Sequence, residues 1–69
     1  MINTNELRGI IAREGMSQRG VAKELGITQE TFYRKMKKGV FDSDEIYMMI
    51  DLLNIEDPVA VFFANEVTQ

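Results

Sequence analysis

The stretch SQRGVAKELGITQETFYRKMKKG, Ser17 to Gly39, decides the fold. Ser17 is a helix-capping residue, Val21, Ala22 and Leu25 turn inward at helical spacing, and Gly26 is suited to end the helix. With only Gly26 and Ile27 between, Thr28 caps a second helix that sets Phe32 and Met36 inward at i, i+4 and closes at Gly39. Two short helices joined so tightly must cross steeply, with small residues at the crossing. Ala22 sits there, Gly26 takes the left-handed turn, and Ile27 plugs the angle. A helix–turn–helix pair over residues 17–38 is the expected result, its second member standing proud of the domain with Phe32 and Met36 behind it.

The flanking sequence is helical as well. NTNELRGIIAREG sets Asn3 and Glu6 at capping-box spacing, puts Leu7, Ile10 and Ile11 on one face, and stops at Gly15. VFDSDEIYMMIDLLNI repeats the box with Asp42 and Glu45, with Phe41 and Ile46 placed as a hydrophobic staple. Ile46, Met49, Ile50 and Leu53 then mark one face. In DPVAVFFANEVTQ, Asp57 caps and Pro58 takes the first helical position, predicting a short fifth helix. The fold class is therefore all-α: one domain over 1–69, four helices and a short fifth, with residues 57–69 as a candidate interaction segment. Met36, Met48 and Met49 read as core filler. Gly20 is a poor helix former within the second helix, about 1 kcal/mol worse than Ala.

At 69 residues the chain is near the lower size limit for a self-sufficient core, and its 45% hydrophobic content suits a compact fold. It contains no Cys and no His, which removes disulfides, thiolate metal sites, the commonest metal ligand and the commonest general acid–base. These absences argue against an enzyme and against a metal or other cofactor. The apolar run VAVFF, residues 59–63, is far too short to cross a bilayer, and MINTNELRG has no signal-peptide core. A cytoplasmic protein with no membrane partner is the expectation.

The net charge of −3 conceals a segregation. Residues 1–39 hold all eight bases and four acids, whereas residues 40–69 hold seven acids and no base. Four of the bases, Arg34, Lys35, Lys37 and Lys38, crowd the end of the third helix. One face can thus attract a polyanion while the other repels it. With the Phe32–Met36 side inward, Glu30, Arg34 and Lys37 point nearly opposite, Tyr33 lies to one flank, and Gln29 occupies the first turn. Such groups suit base edges in a major groove: Gln for adenine, Arg for guanine, Glu for the cytosine amino group. Bland uses compete. Cations in a last turn and an acid in a first turn stabilise any helix, and Glu30 can pair with Arg34 at i, i+4 for about 0.2–0.5 kcal/mol.

The segment SQRGVAKELGITQETF resembles the lambda-repressor-like, XRE-type helix–turn–helix domains of phage Cro proteins and repressors. The resemblance covers roughly Leu7 to Ile55, and the length and the ending DPVAVFF are similar to small phage-borne regulators of Gram-positive bacteria. It implies that Gln18 contacts a phosphate and braces the recognition helix, and that Thr28 and Gln29 begin that helix against DNA. Glu30, Tyr33 and Arg34 match base-facing positions, and Lys37 and Lys38 match backbone-touching ones. The expected base contacts are Gln29, Glu30, Tyr33 and Arg34; the expected phosphate contacts are Gln18, Arg19, Thr28, Lys35, Lys37 and Lys38. Two departures leave the rotation of the third helix open. Lys35 stands where many members have an apolar core residue, and Gly39 comes one position late.

Val59, Val61, Phe62, Phe63 and Val67 exceed what one short helix buries on one side; the domain's own core is expected to cover some of them, Phe62 or Phe63 first, and the remainder to meet a second subunit or a partner. Two functions follow. One is a Cro-like repressor, a homodimer on a near-palindromic duplex-DNA operator in a bacterial cell, associated with the nucleoid. The other is an antirepressor or modulator that binds a partner repressor through the same scaffold, motivated by the acidic half.

Overall fold

The computed structural model describes residues 2–63. Five helices follow in order: α1 (Thr4–Arg13), α2 (Gln18–Leu25), α3 (Gln29–Lys38), α4 (Ser43–Leu52) and α5 (Pro58–Phe62). No strand occurs among the described residues, and no helix there is long and apolar enough to cross a membrane.

Each helix starts on a side-chain oxygen that takes an otherwise orphaned N–H. Asn3, Ser17, Thr28, Asp42 and Asp57 accept from Glu6, Gly20, Thr31, Glu45 and Ala60 respectively. Only α4 completes a reciprocal capping box, with the Asp42 N–H donating back to the Glu45 carboxylate. At α1 the Asn3 half alone is made, through the Glu6 N–H.

The first four helices end alike. A residue of positive φ (Gly15, Gly26, Gly39 and Asn54) is followed by one whose N–H reaches a carbonyl in the last turn: Met16 to Ile11, Ile27 to Ala22, Val40 to Lys35, Ile55 to Ile50. This six-to-one closure satisfies the carbonyls a helix end leaves bare. Between α2 and α3 it reverses the chain in three residues, which fixes the helix–turn–helix pair.

Leu7, Val21, Phe32, Met49 and Leu53 are the most fully buried side chains. Phe41, just before α4, tilts against Phe32 with ring centroids 5.4 Å apart, an arrangement favoured by the ring quadrupoles. Ile46 and Ile50 pack at the core's edge. Met36 and Met49 are core residues, but Met48 is 45% exposed. One turn of α4 cannot bury both neighbours, and the inward place goes to Met49. Gly20 lies in the first turn of α2, where a Cβ would come 3.3 Å from the Ser17 Oγ that caps the helix.

The N-terminus is strapped across two elements. The Ile2 N–H donates to the Gly39 carbonyl and the Asn3 N–H to the Val61 carbonyl. That strap holds α5 against the body with Val61 and Phe62 turned inward, 2% and 3% exposed. Both complete the protein's own core, which corrects their placement at an interface; of the two candidates for such cover, Phe62 takes it and Phe63 does not. Val59 and Phe63 remain exposed. Val67 lies outside the described residues.

Candidate nucleic-acid interface

Burial settles the rotation of α3. Phe32 and Met36 are 0% and 3% exposed, Thr31 and Lys35 are half-buried, and Gln29, Glu30, Tyr33, Arg34, Lys37 and Lys38 are exposed. Glu30, Tyr33, Arg34 and Lys37 recur at i, i+3, i+4 and i+7 and form one stripe along the helix, with Gln29 at its start and Lys38 at its end. All four residues expected to touch bases lie on it.

The stripe has internal order at its start. The Gln29 amide Nε2 donates to the Tyr33 hydroxyl at 2.7 Å. This leaves the Gln29 oxygen, its second N–H and the Tyr33 proton available to a ligand. Thr28 uses its hydroxyl locally, accepting from the Thr31 N–H at 3.1 Å and donating to the Thr31 hydroxyl at 2.8 Å. Any Thr28 contact to a phosphate therefore falls to its backbone. As at every helix start, the N–H groups of Gln29 and Glu30 have no helical carbonyl to meet, and the dipole there favours an anion.

Glu30 and Arg34 make no ion pair with each other; among the described residues the ion pairs are Arg13–Glu14 and Lys35–Glu45. Arg34 is thus an exposed guanidinium that donates to no side chain among the described residues. Lys37 and Lys38 stand exposed in the last turn.

Lys35 departs from the reading as a phosphate contact. Its Nζ lies 2.5 Å from Glu45 Oε2, and the side chains of the pair are 26% and 8% exposed. The physical reason is position. Residue 35 follows buried Phe32 by three places, so it falls on the inward flank of α3. A cation there requires a counter-charge. Glu45 provides it while its other oxygen accepts the Asp42 N–H at 3.0 Å. The inward place that an apolar residue would fill is held by an ion pair that ties the last turn of α3 to the start of α4. The i+3 relation of a Lys to a buried Phe was the available sign of this second role for Glu45.

From α2, Arg19 is exposed and Gln18 half-buried at the first helical position. Ser17 is the cap, so Gln18 is not needed for that task. The structure thus gathers Gln29, Glu30, Tyr33, Arg34, Lys37 and Lys38 on one helix stripe, places Gln18 and Arg19 at the start of the neighbouring helix, and withdraws Lys35. Comparison with protein-family models, with curated proteins and with solved structures returned no match for the chain.

Proposed function

We propose that this chain is a sequence-specific DNA-binding transcriptional regulator, a Cro-like repressor that reads the major groove of an operator with α3. The observation that carries the reading is the exposed α3 stripe, where the Gln29 amide in the first turn, the Tyr33 phenol on one flank and the Arg34 guanidinium opposite Phe32 and Met36 run into Lys37 and Lys38. Base-reading groups followed by phosphate-neutralising ones are the composition a recognition helix needs. The resemblance of residues 7–55 to XRE-type domains supports the same reading.

In this proposal Gln29, Tyr33 and Arg34 carry specificity, and Glu30 excludes wrong bases. Gln18, Arg19, Lys37 and Lys38 hold the backbone, together with the amide of Thr28. A homodimer joined through Val59 and Phe63 sets two recognition helices about 34 Å apart, one turn of DNA, on a near-palindromic site. The protein works on DNA in the bacterial cytoplasm, at the nucleoid, without catalysis and without a cofactor.

The test is selection of bound sequences from random duplex DNA by the purified chain at moderate salt, read by sequencing. Enrichment of a near-palindromic site is expected. A pool that stays random would overturn the reading in favour of the modulator that grips a partner repressor.

A further inference from the structure

Helix α4 buries Glu45 and Met49 and leaves its other side uncovered. Along that side Asp44, Tyr47, Met48 and Asp51 succeed one another at i, i+3, i+4 and i+7, all exposed. Tyr47 is 70% exposed and Met48 45%. Met48 and Leu52 meet Leu25, at the end of α2, in an open groove of about 200 Å³ whose other lining residues are Glu24 and Asp51. Its floor is thus apolar, each of the two helices contributes one carboxylate, and no base lines it.

The volume falls below the roughly 300–1,000 Å³ of small-molecule sites. It suits one large apolar side chain, and Met48 is the adaptable residue that such contacts use. Charge selects the occupant. The two charged residues that line it, Glu24 and Asp51, are both acids, which disfavours a nucleic acid here. The chain's own residues 64–69, ANEVTQ, hold an acid and no base and so cannot supply cations.

We infer that this groove docks a short basic segment of a partner protein. The segment inserts one leucine- or phenylalanine-sized side chain between Leu25, Met48 and Leu52 and sets flanking lysine or arginine against Glu24 and Asp51. No lining residue belongs to α3, so the inference stands independently of DNA reading. A protein held here is gripped through a burial term and a charge term, and the charge term weakens with salt.

The experiment is panning of a phage-displayed library of random dodecapeptides against the full chain, followed by titration of the recovered peptides. Peptides with a large apolar residue flanked by Lys or Arg are expected. Met48→Lys should weaken them about tenfold or more. The exposed double change Glu24→Lys with Asp51→Lys should do the same and should redirect the library toward acidic peptides. Circular-dichroism melts verify that each variant is folded. The inference is overturned if no peptide is enriched, if the peptides are acidic, or if folded variants bind them as the parent does. It also falls if the parent self-associates in sedimentation and Met48→Lys does not, since a second copy then covers the groove.

Discussion

Lys35 and Glu45 form the ion pair that joins the last turn of α3 to the first turn of α4, and the same carboxylate closes the α4 capping box. One side chain therefore sets both where α4 begins and how α3 lies against it. Lys35→Met strands a carboxylate that is largely buried, and Glu45→Gln strands the ammonium while keeping an acceptor for the Asp42 N–H. Each should cost about 1–3 kcal/mol. The double variant should cost less than the sum, with a coupling of about 1 kcal/mol. Urea unfolding measures the cycle, and strict additivity would show that the pair holds nothing.

Arg34→Ala and Lys38→Ala should separate reading from gripping. The first should weaken the selected operator by about 1–3 kcal/mol per lost base contact and random duplex far less, through the lost charge alone. The second should weaken every sequence alike and lower the salt slope by about one unit. Fluorescence-anisotropy titrations over a range of salt distinguish the two patterns.

Tyr33→Phe removes the hydroxyl that receives the Gln29 amide. The freed amide should read its base less selectively, so discrimination for adenine at one operator position should fall by about 1 kcal/mol with little change in non-specific affinity. Competition by base-substituted duplexes checks this, and an unchanged preference would mean that the Gln29–Tyr33 contact is not used on DNA.

Gly9→Ala and Gly26→Ala are the same chemical change with opposite expected signs. An added Cβ meets nothing within 4 Å at either site, so sterics do not decide. Gly9 lies inside α1, where Ala is the better helix former, and should gain about 0.5–1 kcal/mol. Gly26 has φ +76, a conformation L residues resist, and should lose about 1–2 kcal/mol. Thermal unfolding of the two variants reads the difference.

Phe63→Glu tests the homodimer. Phe63 is 43% exposed and Val59 46%, and Phe63 shares a surface groove with Val40. The charge should shift the protein to monomer in sedimentation velocity and abolish tight operator binding without unfolding the domain. An unchanged sedimentation coefficient would remove these residues from the interface.

The helix boundaries were legible because capping is local chemistry. Ser17, Thr28, Asp42 and Asp57 each act on an N–H three residues on, and Gly26 and Gly39 each reverse the chain where a left-handed residue must stand. The exposed face of α3 was legible in outline, since Phe32 and Met36 mark its inward side, while its rotation stayed open until burial placed Lys35 on the inward flank. What was not legible depends on partners far along the chain. Lys35 is marked out by its place three residues after Phe32, but its pairing is fixed only when Glu45 meets it from another helix. Val61 reads as surplus until Ile2 and Asn3 supply the hydrogen bonds that hold α5 in place. Met48 and Met49 both read as core filler, but the face marked by Ile46, Ile50 and Leu53 takes Met49 alone, and Met48 is left 45% exposed.

The strap formed by Ile2 and Asn3 carries a consequence for spacing. A single dipeptide holds both the closing turn of α3, at Gly39, and the middle of α5, at Val61. The part that would touch DNA and the part that would touch a twin subunit are thus riveted together, with no flexible arm between them. In the proposed dimer the gap between half-sites is then a dimension of the folded body. Inserting one base pair at the operator centre should defeat binding, because the strap holds Gly39 and Val61 at one fixed distance.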